Sequence, residues 1–341
     1  MTKQYFWVSS VILLITGCGG GGGDNTSADN STPVVQKTYV SSATAGEVLK
    51  YSVDTSAKTY SYEILQSAYG LQGSKGSGSL FSNSDGTYSP SESPGSKILP
   101  LKNGLLLGNV KLNMGGTSRD VPIFGMENPS TTSSDIAGIF NFITIQCSSQ
   151  SNGIYSNCNS LYGSVEVTAL TNTTATFKSC IGSDIAINPV NCSTPSSGKL
   201  NYLSDGVWSM KEDRSNTADN FFIAFKAPNG QKIGWIDFND PVYLGFGQGV
   251  ISQKTTIRSG EGIDGDYFYK NTLGQTGSVT LASNNSTLQV STSTGVVATA
   301  NQPWAGFAKS QTGYGLMAGN GVYVYMDPGI STYYYEIGIQ K

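Results

Sequence analysis

The 341-residue chain contains no histidine, sets 20 basic against 23 acidic side chains, and draws 38% of its residues from apolar types. Without histidine, this chain supplies no histidine metal ligand, no histidine haem ligand and no Ser-His-Asp triad, and a net charge of −3 offers nucleic acid no basic face. Charged residues make up only 13%, whereas tyrosine (19) and phenylalanine (13) are frequent, so a core would be built from aromatic and aliphatic side chains, in one large β domain or a few smaller ones.

The first element is MTKQYFWVSSVILLITGC. Lys3 places a positive charge near the start, and Phe6, Trp7, Val8, Val11, Ile12, Leu13, Leu14 and Ile15 follow as a short apolar run. A bilayer-spanning helix needs roughly 20 apolar residues, so this length fits a secretion signal instead. The run ends Ile15-Thr16-Gly17-Cys18: an apolar residue, two small residues and a cysteine. In these residues the chain resembles a bacterial lipoprotein signal, and the resemblance is confined to this N-terminal motif. It implies that the Cys18 thiol receives diacylglycerol, that cleavage precedes Cys18, and that the new amine is acylated, for instance by palmitate. It also implies sorting to the outer membrane, because Gly19 stands where aspartate would retain the product in the inner membrane. Loss of the signal removes Lys3 and takes the side-chain net from −3 to −4.

Gly19 to Gly23 and the polar DNTSADNSTPVV follow. This stretch lacks the apolar surface to fold and behaves as flexible coil, so it reads as a leash between lipid and body. It is not a phosphate loop, since no Lys-Ser pair follows the glycines.

From residue 36 onward no long helical periodicity is present, and alternating segments separated by turn residues predict an all-β body of antiparallel sandwich or barrel-like modules. Strands are expected in 58–70, on both sides of the Asn83-Ser84-Asp85-Gly86 turn, and in 102–113. IAGIFNFITIQC (136–147) pairs with YGSVEVTAL (162–170), and TATFKSC follows. GVWSMKED (206–213), NFFIAFKA (220–227) and QKIGWIDF (231–238) form a central run, the last two joined at Asn229-Gly230. Further strands are expected in 265–271, 276–283, 286–293, 304–310, 313–319, 321–327 and 331–340.

Parts of the chain echo one another. DIAGIFNF (135–142) matches GIDGDYFY (262–269), and YGSVEVTALTNTTATF matches TGSVTLASNNSTLQV. GWIDF and VYVYM are expected to close equivalent units. A weaker third copy is GSGSLFSNSDGTYS, followed by GLLLGNV beside GLMAGNGV. The Gly–aromatic opening strand resembles that of lipocalin-like barrels. The expected organisation is a signal peptide over 1–17, lipidated cysteine and tether over 18–35, an N-terminal β region over 36–134, a central disulfide-containing β module over 135–255 and a C-terminal β module over 256–341.

Beyond Cys18, the chain carries Cys147, Cys158, Cys180 and Cys192. An even number in an exported chain reads as disulfides. Of the three pairings, short Ser-, Asn- and Gly-rich loops favour Cys147–Cys158 and Cys180–Cys192, and spacings of 11, 22 and 12 lack the close pairs of a zinc knuckle.

Trp208, Trp235 and Trp304, with Tyr333 and Tyr335, are candidates for ligand contact, since exposed rings stack on sugars; the same rings also fill β cores. Glu212, Asp213, Asp237 and Asp240 are the carboxylates to weigh for glycoside chemistry, which needs two carboxyls about 5–9.5 Å apart. Asp264-Gly265-Asp266 and the Asp237–Asp240 string offer oxygens to calcium but match no EF-hand loop. The glycine-rich YLGFGQGV and GYGLMAGNG read as bends or bulges. No catalytic constellation emerges, and no cofactor, metal or nucleic-acid partner is expected. The functional expectation is an outer-membrane-anchored lipoprotein that binds or scaffolds, with a glycan or envelope protein as partner. The alternatives are a carboxylate-dependent envelope hydrolase acting on glycans and a purely structural surface lipoprotein.

Overall fold

The computed structural model describes residues 36–340 apart from 44–45, 101–103, 115, 152–153, 183–191, 193–194, 216–218, 227–229, 239–245, 255–263, 272–275, 284–286, 293–294, 305, 311–312, 319–320 and 328–333. Cys18, Tyr333, Asp240 and the tether lie outside the described residues.

The body is all β, built from the same meander three times. The first meander holds β1 (Gln36–Ala43), β2 (Glu47–Asp54), β3 (Thr59–Ser67), β4 (Lys75–Ser82), β5 (Tyr88–Pro90), β6 (Leu99–Pro100), β7 (Leu105–Met114) and β8 (Thr117–Met126). The second holds β9 (Gly138–Ser151), β10 (Ile154–Thr171), β11 (Thr174–Ile181), β12 (Pro195–Ser204), β13 (Val207–Glu212), β14 (Asn220–Lys226), β15 (Lys232–Asp237) and β16 (Phe246–Gln253). The third holds β17 (Gly265–Asn271), β18 (Thr276–Ser283), β19 (Thr287–Thr292), β20 (Gly295–Trp304), β21 (Phe307–Lys309), β22 (Tyr314–Ala318), β23 (Val322–Asp327) and β24 (Tyr334–Gln340). A one-turn helix, α1 (Ser133–Ile136), precedes β9.

Apart from β5 and β6, every strand pairs antiparallel with its sequence neighbour, and in each meander the first pairs with the eighth. An even strand number lets an antiparallel ribbon close on itself and leave no edge. The second and third meanders are closed barrels. The first is an eight-stranded sheet whose edge strands, β5 and β6, are only three and two residues long, and a bridge between Tyr88 and Ile98 joins them.

The repeat recurs in the backbone. The hairpin between fourth and fifth strands carries a left-handed glycine each time, at Gly86, Gly206 and Gly306 (φ 81°, 81° and 75°), and the hairpin between sixth and seventh does so at Gly104, Gly230 and Gly321 (φ 82°, 84° and 84°). Only glycine adopts that region without steric penalty, so these positions hold the turns tight. The echoes align with this scheme in part. Segments 162–177 and 276–290 are the second and third strands of their barrels. GWIDF and VYVYM both fall in seventh strands, so they precede the closing strand instead of forming it. GLLLGNV belongs to a seventh strand and GLMAG to a sixth, so that pairing of the third copy is displaced by one strand. YLGFGQGV, expected as bends, runs into β16, the strand that closes the second barrel.

Many glycines seat a ring from the strand opposite. Phe177 faces Gly198, Tyr269 faces Gly277 and Tyr323 faces Gly338, each pair in direct register, with the ring where a Cβ would project. This cross-strand device lets large rings fill a barrel only wide enough for side chains. At Gly198 an added Cβ meets the Lys211 carbonyl oxygen on one side and the Phe177 ring, 2.6 Å away, on the other. Gly198→Ala is therefore expected to destabilise the protein by about 2 kcal/mol, read as a lower urea midpoint with an unchanged slope. A neutral result would mean that the ring moves aside freely.

The second barrel is wrapped from inside and outside. Phe140, Phe142, Val165, Val167, Phe177, Leu200, Trp208, Phe222, Ile236 and Ile251 fill its interior. The alternate residues Ile143, Ile145, Phe221, Ile223, Phe225, Ile233, Trp235 and Val250 join one core with side chains of the first and third meanders. That is why NFFIAFK and KIGWID read as unbroken apolar runs: both of their faces are buried. Against the first meander, Trp235 stacks on Phe124 at 4.3 Å. Against the third, Tyr162 stacks on Tyr314 at 3.9 Å and on Phe307 at 5.3 Å.

Candidate functional site

Two of the three singled-out tryptophans, Trp208 and Trp235, are packing residues. Trp208 is fully buried inside the second barrel, where Nε1–H donates to the Ser130 carbonyl at 3.0 Å and the ring meets Tyr202 edge-on. Trp235 is equally buried on the outer face of β15, and its Nε1–H has no hydrogen-bond partner. Trp304 and Tyr335 end β20 and lie in β24, and their side chains are outside the described residues.

Cys180 and Cys192 form a disulfide with Cα atoms 5.3 Å apart. Cys147 and Cys158 stand directly opposite in the β9–β10 register; their side chains are outside the described residues.

The acids do not assemble as a glycosidase pair. Asp213 accepts a hydrogen bond from Ser197 Oγ at 2.7 Å. Asp237 lies opposite Phe221, which lies opposite Ser209, and Glu212 is three residues further along β13. At about 4.8 Å per strand and 3.3 Å per residue, that offset exceeds the spacing glycoside chemistry needs. Asp266 accepts from its cross-strand neighbour Thr280 at 2.6 Å. Among the described residues no cluster of three or more Asp, Glu, Cys or His is placed to hold a metal.

Asp237 instead meets the first meander. Its Oδ2 accepts from Ser42 Oγ at 2.6 Å across the seam, while Oδ1 is buried without a partner. Burial raises its carboxyl well above the carboxylate range, the nearby Glu47 charge pushes the same way, and Ser42 and the Gly46 N–H pull it down in part.

The most unusual chemistry lies on the inner face of the first meander. On β1 and β2, Lys50 is exposed, so the alternate residues Tyr39, Ser41 and Ala43 of β1 and Glu47, Leu49, Tyr51 and Val53 of β2 point inward. All are buried, yet Tyr39 OH, Ser41 Oγ, Tyr51 OH and Glu47 Oε2 find no hydrogen-bond partner. Native structures leave few buried polar atoms unsatisfied, and a run of them asks for a ligand or water. Register sets Tyr39 against Tyr51, Ser41 against Leu49 and Ala43 against Glu47, so Ser41 is diagonal to both Glu47 and Tyr51. Glu47 Oε1 accepts from Ser67 Oγ at 2.7 Å. Burial pushes the Glu47 carboxyl up to about 7, with Ser67 and the N–H groups of Tyr69 and Ala68 drawing it partly back. Burial also raises the Tyr51 hydroxyl, with lesser contributions from Glu92 and Tyr62. Tyr51 stacks with Tyr60 at 5.6 Å and Tyr62 at 6.5 Å.

A second carboxyl is buried inside the third barrel, where Tyr323 OH donates to Glu336 and Tyr323 meets Tyr267 edge-on. That group is satisfied, in contrast to the first meander.

Glu47 was not among the residues singled out, although a signal was present. In GEVLKYSVD it shares its alternation with Leu49, Tyr51 and Val53, which sets a carboxylate on the apolar face.

No known family matches this chain, and no curated protein does. Among solved structures, a protein of unknown function from the DUF3598 family of Nostoc punctiforme aligns over 64% of this chain and 93% of its own, with 8% identity and a TM-score of 0.27.

Proposed function

We propose that the protein is an outer-membrane lipoprotein: Cys18 carries the lipid, residues 19–35 form the leash, and the body of three β meanders binds a glycan or protein of the bacterial envelope. The observation that carries this reading is Ile15-Thr16-Gly17-Cys18 at the end of a short apolar run, followed by a glycine-rich segment that leads into the β body. Each buried lipid CH₂ contributes roughly 0.8 kcal/mol, and one chain holds only weakly while two or more hold stably. A flexible leash lets a rigid body sample partners near the bilayer. The binding role is supported by buried hydroxyls in the first meander that the protein itself leaves unpaired.

In a bacterium that processes lipoproteins, the native chain is expected to fractionate with outer membranes, to need detergent for release and to incorporate labelled palmitate. Cys18→Ala is expected to lose the label and the detergent requirement. Identical partition and labelling of both chains would overturn the proposed anchor.

A further inference from the structure

We propose that the buried inner face of the first meander is a binding site for a small primary ammonium compound of amino-alcohol or diamine type. The inference rests on the binding reading above but not on the lipid anchor.

Four inward atoms are buried without partners: Tyr39 OH, Ser41 Oγ, Tyr51 OH and Glu47 Oε2. All four can accept hydrogen bonds, and an ammonium group carries three donors and no acceptor. Cross-strand diagonals are about 7–8 Å, so Ser41 lies within one short molecule's reach of both Glu47 and Tyr51. Glu47 takes part in none of the ion pairs among the described residues. An ionised buried carboxylate without a counter-charge is costly, and a bound cation removes that cost.

Other ligand classes fit less well. An anion would meet Glu47 inside and Glu92 at the wall. A divalent cation wants several oxygens, yet the second nearby carboxyl, Asp237, lies against Ser42 on the outer face of the β1–β2 hairpin. A neutral polyol would satisfy the hydroxyls and leave the charge unanswered. The stacked Tyr51, Tyr60 and Tyr62 add ring faces of the kind that attract ammonium groups.

The first meander is weakest at its edges. β5 and β6 are the shortest strands of its sheet, and a single bridge from Tyr88 to Ile98, just before β6, links those edges. The segment between them carries exposed Glu92, whose Oε2 sits 2.9 Å from where a Cβ on inward-facing Gly78 would be, and whose charge reaches Tyr51. An acid at the weakest point of the wall steers a cation inward.

The test is calorimetric titration of the purified full chain with ethanolamine, and with ethylene glycol as the neutral counterpart, at about pH 8, where Glu47 is ionised and ethanolamine is still a cation. Saturable binding of ethanolamine is expected, weakened about tenfold or more in Glu47→Gln and several-fold in Tyr51→Phe, with no saturable heat from the glycol. Far-UV circular dichroism establishes that each variant is folded; should Glu47→Gln fail to fold, Ser41→Ala and Tyr51→Phe carry the test. No saturable heat up to about 10 mM ethanolamine would overturn the site, as would equal binding of the glycol or undiminished binding in the folded variants.

Discussion

Trp235→Ala is expected to lower stability by about 3–5 kcal/mol, the largest loss foreseen for a single side chain here. Trp235 belongs to the β15 face that points out of its own barrel and packs on the outer face of the first meander. Its ring is fully buried and stacked on Phe124 at 4.3 Å, so truncation opens a cavity in the seam instead of at a surface. No hydrogen bond is lost, because Nε1 has no partner, and the cost is one of packing. Trp235→Phe should therefore recover most of the loss. The same seam holds the Ser42–Asp237 hydrogen bond and, at its rim, the Lys50–Asp205 ion pair at 3.4 Å, which is too exposed to compensate. Urea unfolding should show a lower midpoint in Trp235→Ala, with the first meander melting apart from the rest. A loss under about 1 kcal/mol with a single unchanged transition would mean that the meanders do not share a core.

Glu47→Gln is expected to stabilise the protein at neutral and alkaline pH. The carboxyl titrates near its ordinary 4.5 when unfolded and at about 7 when folded, so folding favours the protonated form. Its contribution is greatest below pH 4.5, falls as pH rises towards 7 and is flat beyond. The stability lost across that window is on the order of 3 kcal/mol. Glutamine stays neutral throughout, so the variant should match the native chain near pH 4.5, exceed it at pH 8 and show a shallower decline between. Some decline remains, because Asp237 is also raised and shifts stability in the same direction. Urea midpoints for both chains across this range provide the check. A variant less stable than the native chain at pH 8 would show that the ionised Glu47 is more than offset by its hydrogen bonds when folded.

The sequence exposed the strands that alternate and hid those that do not. TATFKSC displays a buried and an exposed face and GDYFYKN alternates in sequence, and both are strands. The doubly buried β14 and β15 show only apolar runs, which mark strands without saying that a neighbouring meander covers the second face. β5 and β6 are too short to alternate, and β16 hides behind Gly247 and Gly249, which are glycine because Phe238 and Thr144 crowd them. The candidate site was harder still. Tryptophans attract attention by size, yet Trp208 and Trp235 are in the packing, while Ser41, Glu47 and Tyr51, each with an unpaired polar atom, lie in strands that first appear in the folded arrangement. Whether a buried carboxyl has a partner depends on pairings such as Glu47 with Ser67, which local sequence does not encode.

Attachment to the envelope through Cys18 is tested most directly by intact-mass measurement of the mature protein from a lipoprotein-processing bacterium. The predicted product begins at Cys18 and carries the added mass of a thioether-linked diacylglycerol and an amide-linked acyl chain. An unmodified chain that begins at Met1 would contradict it.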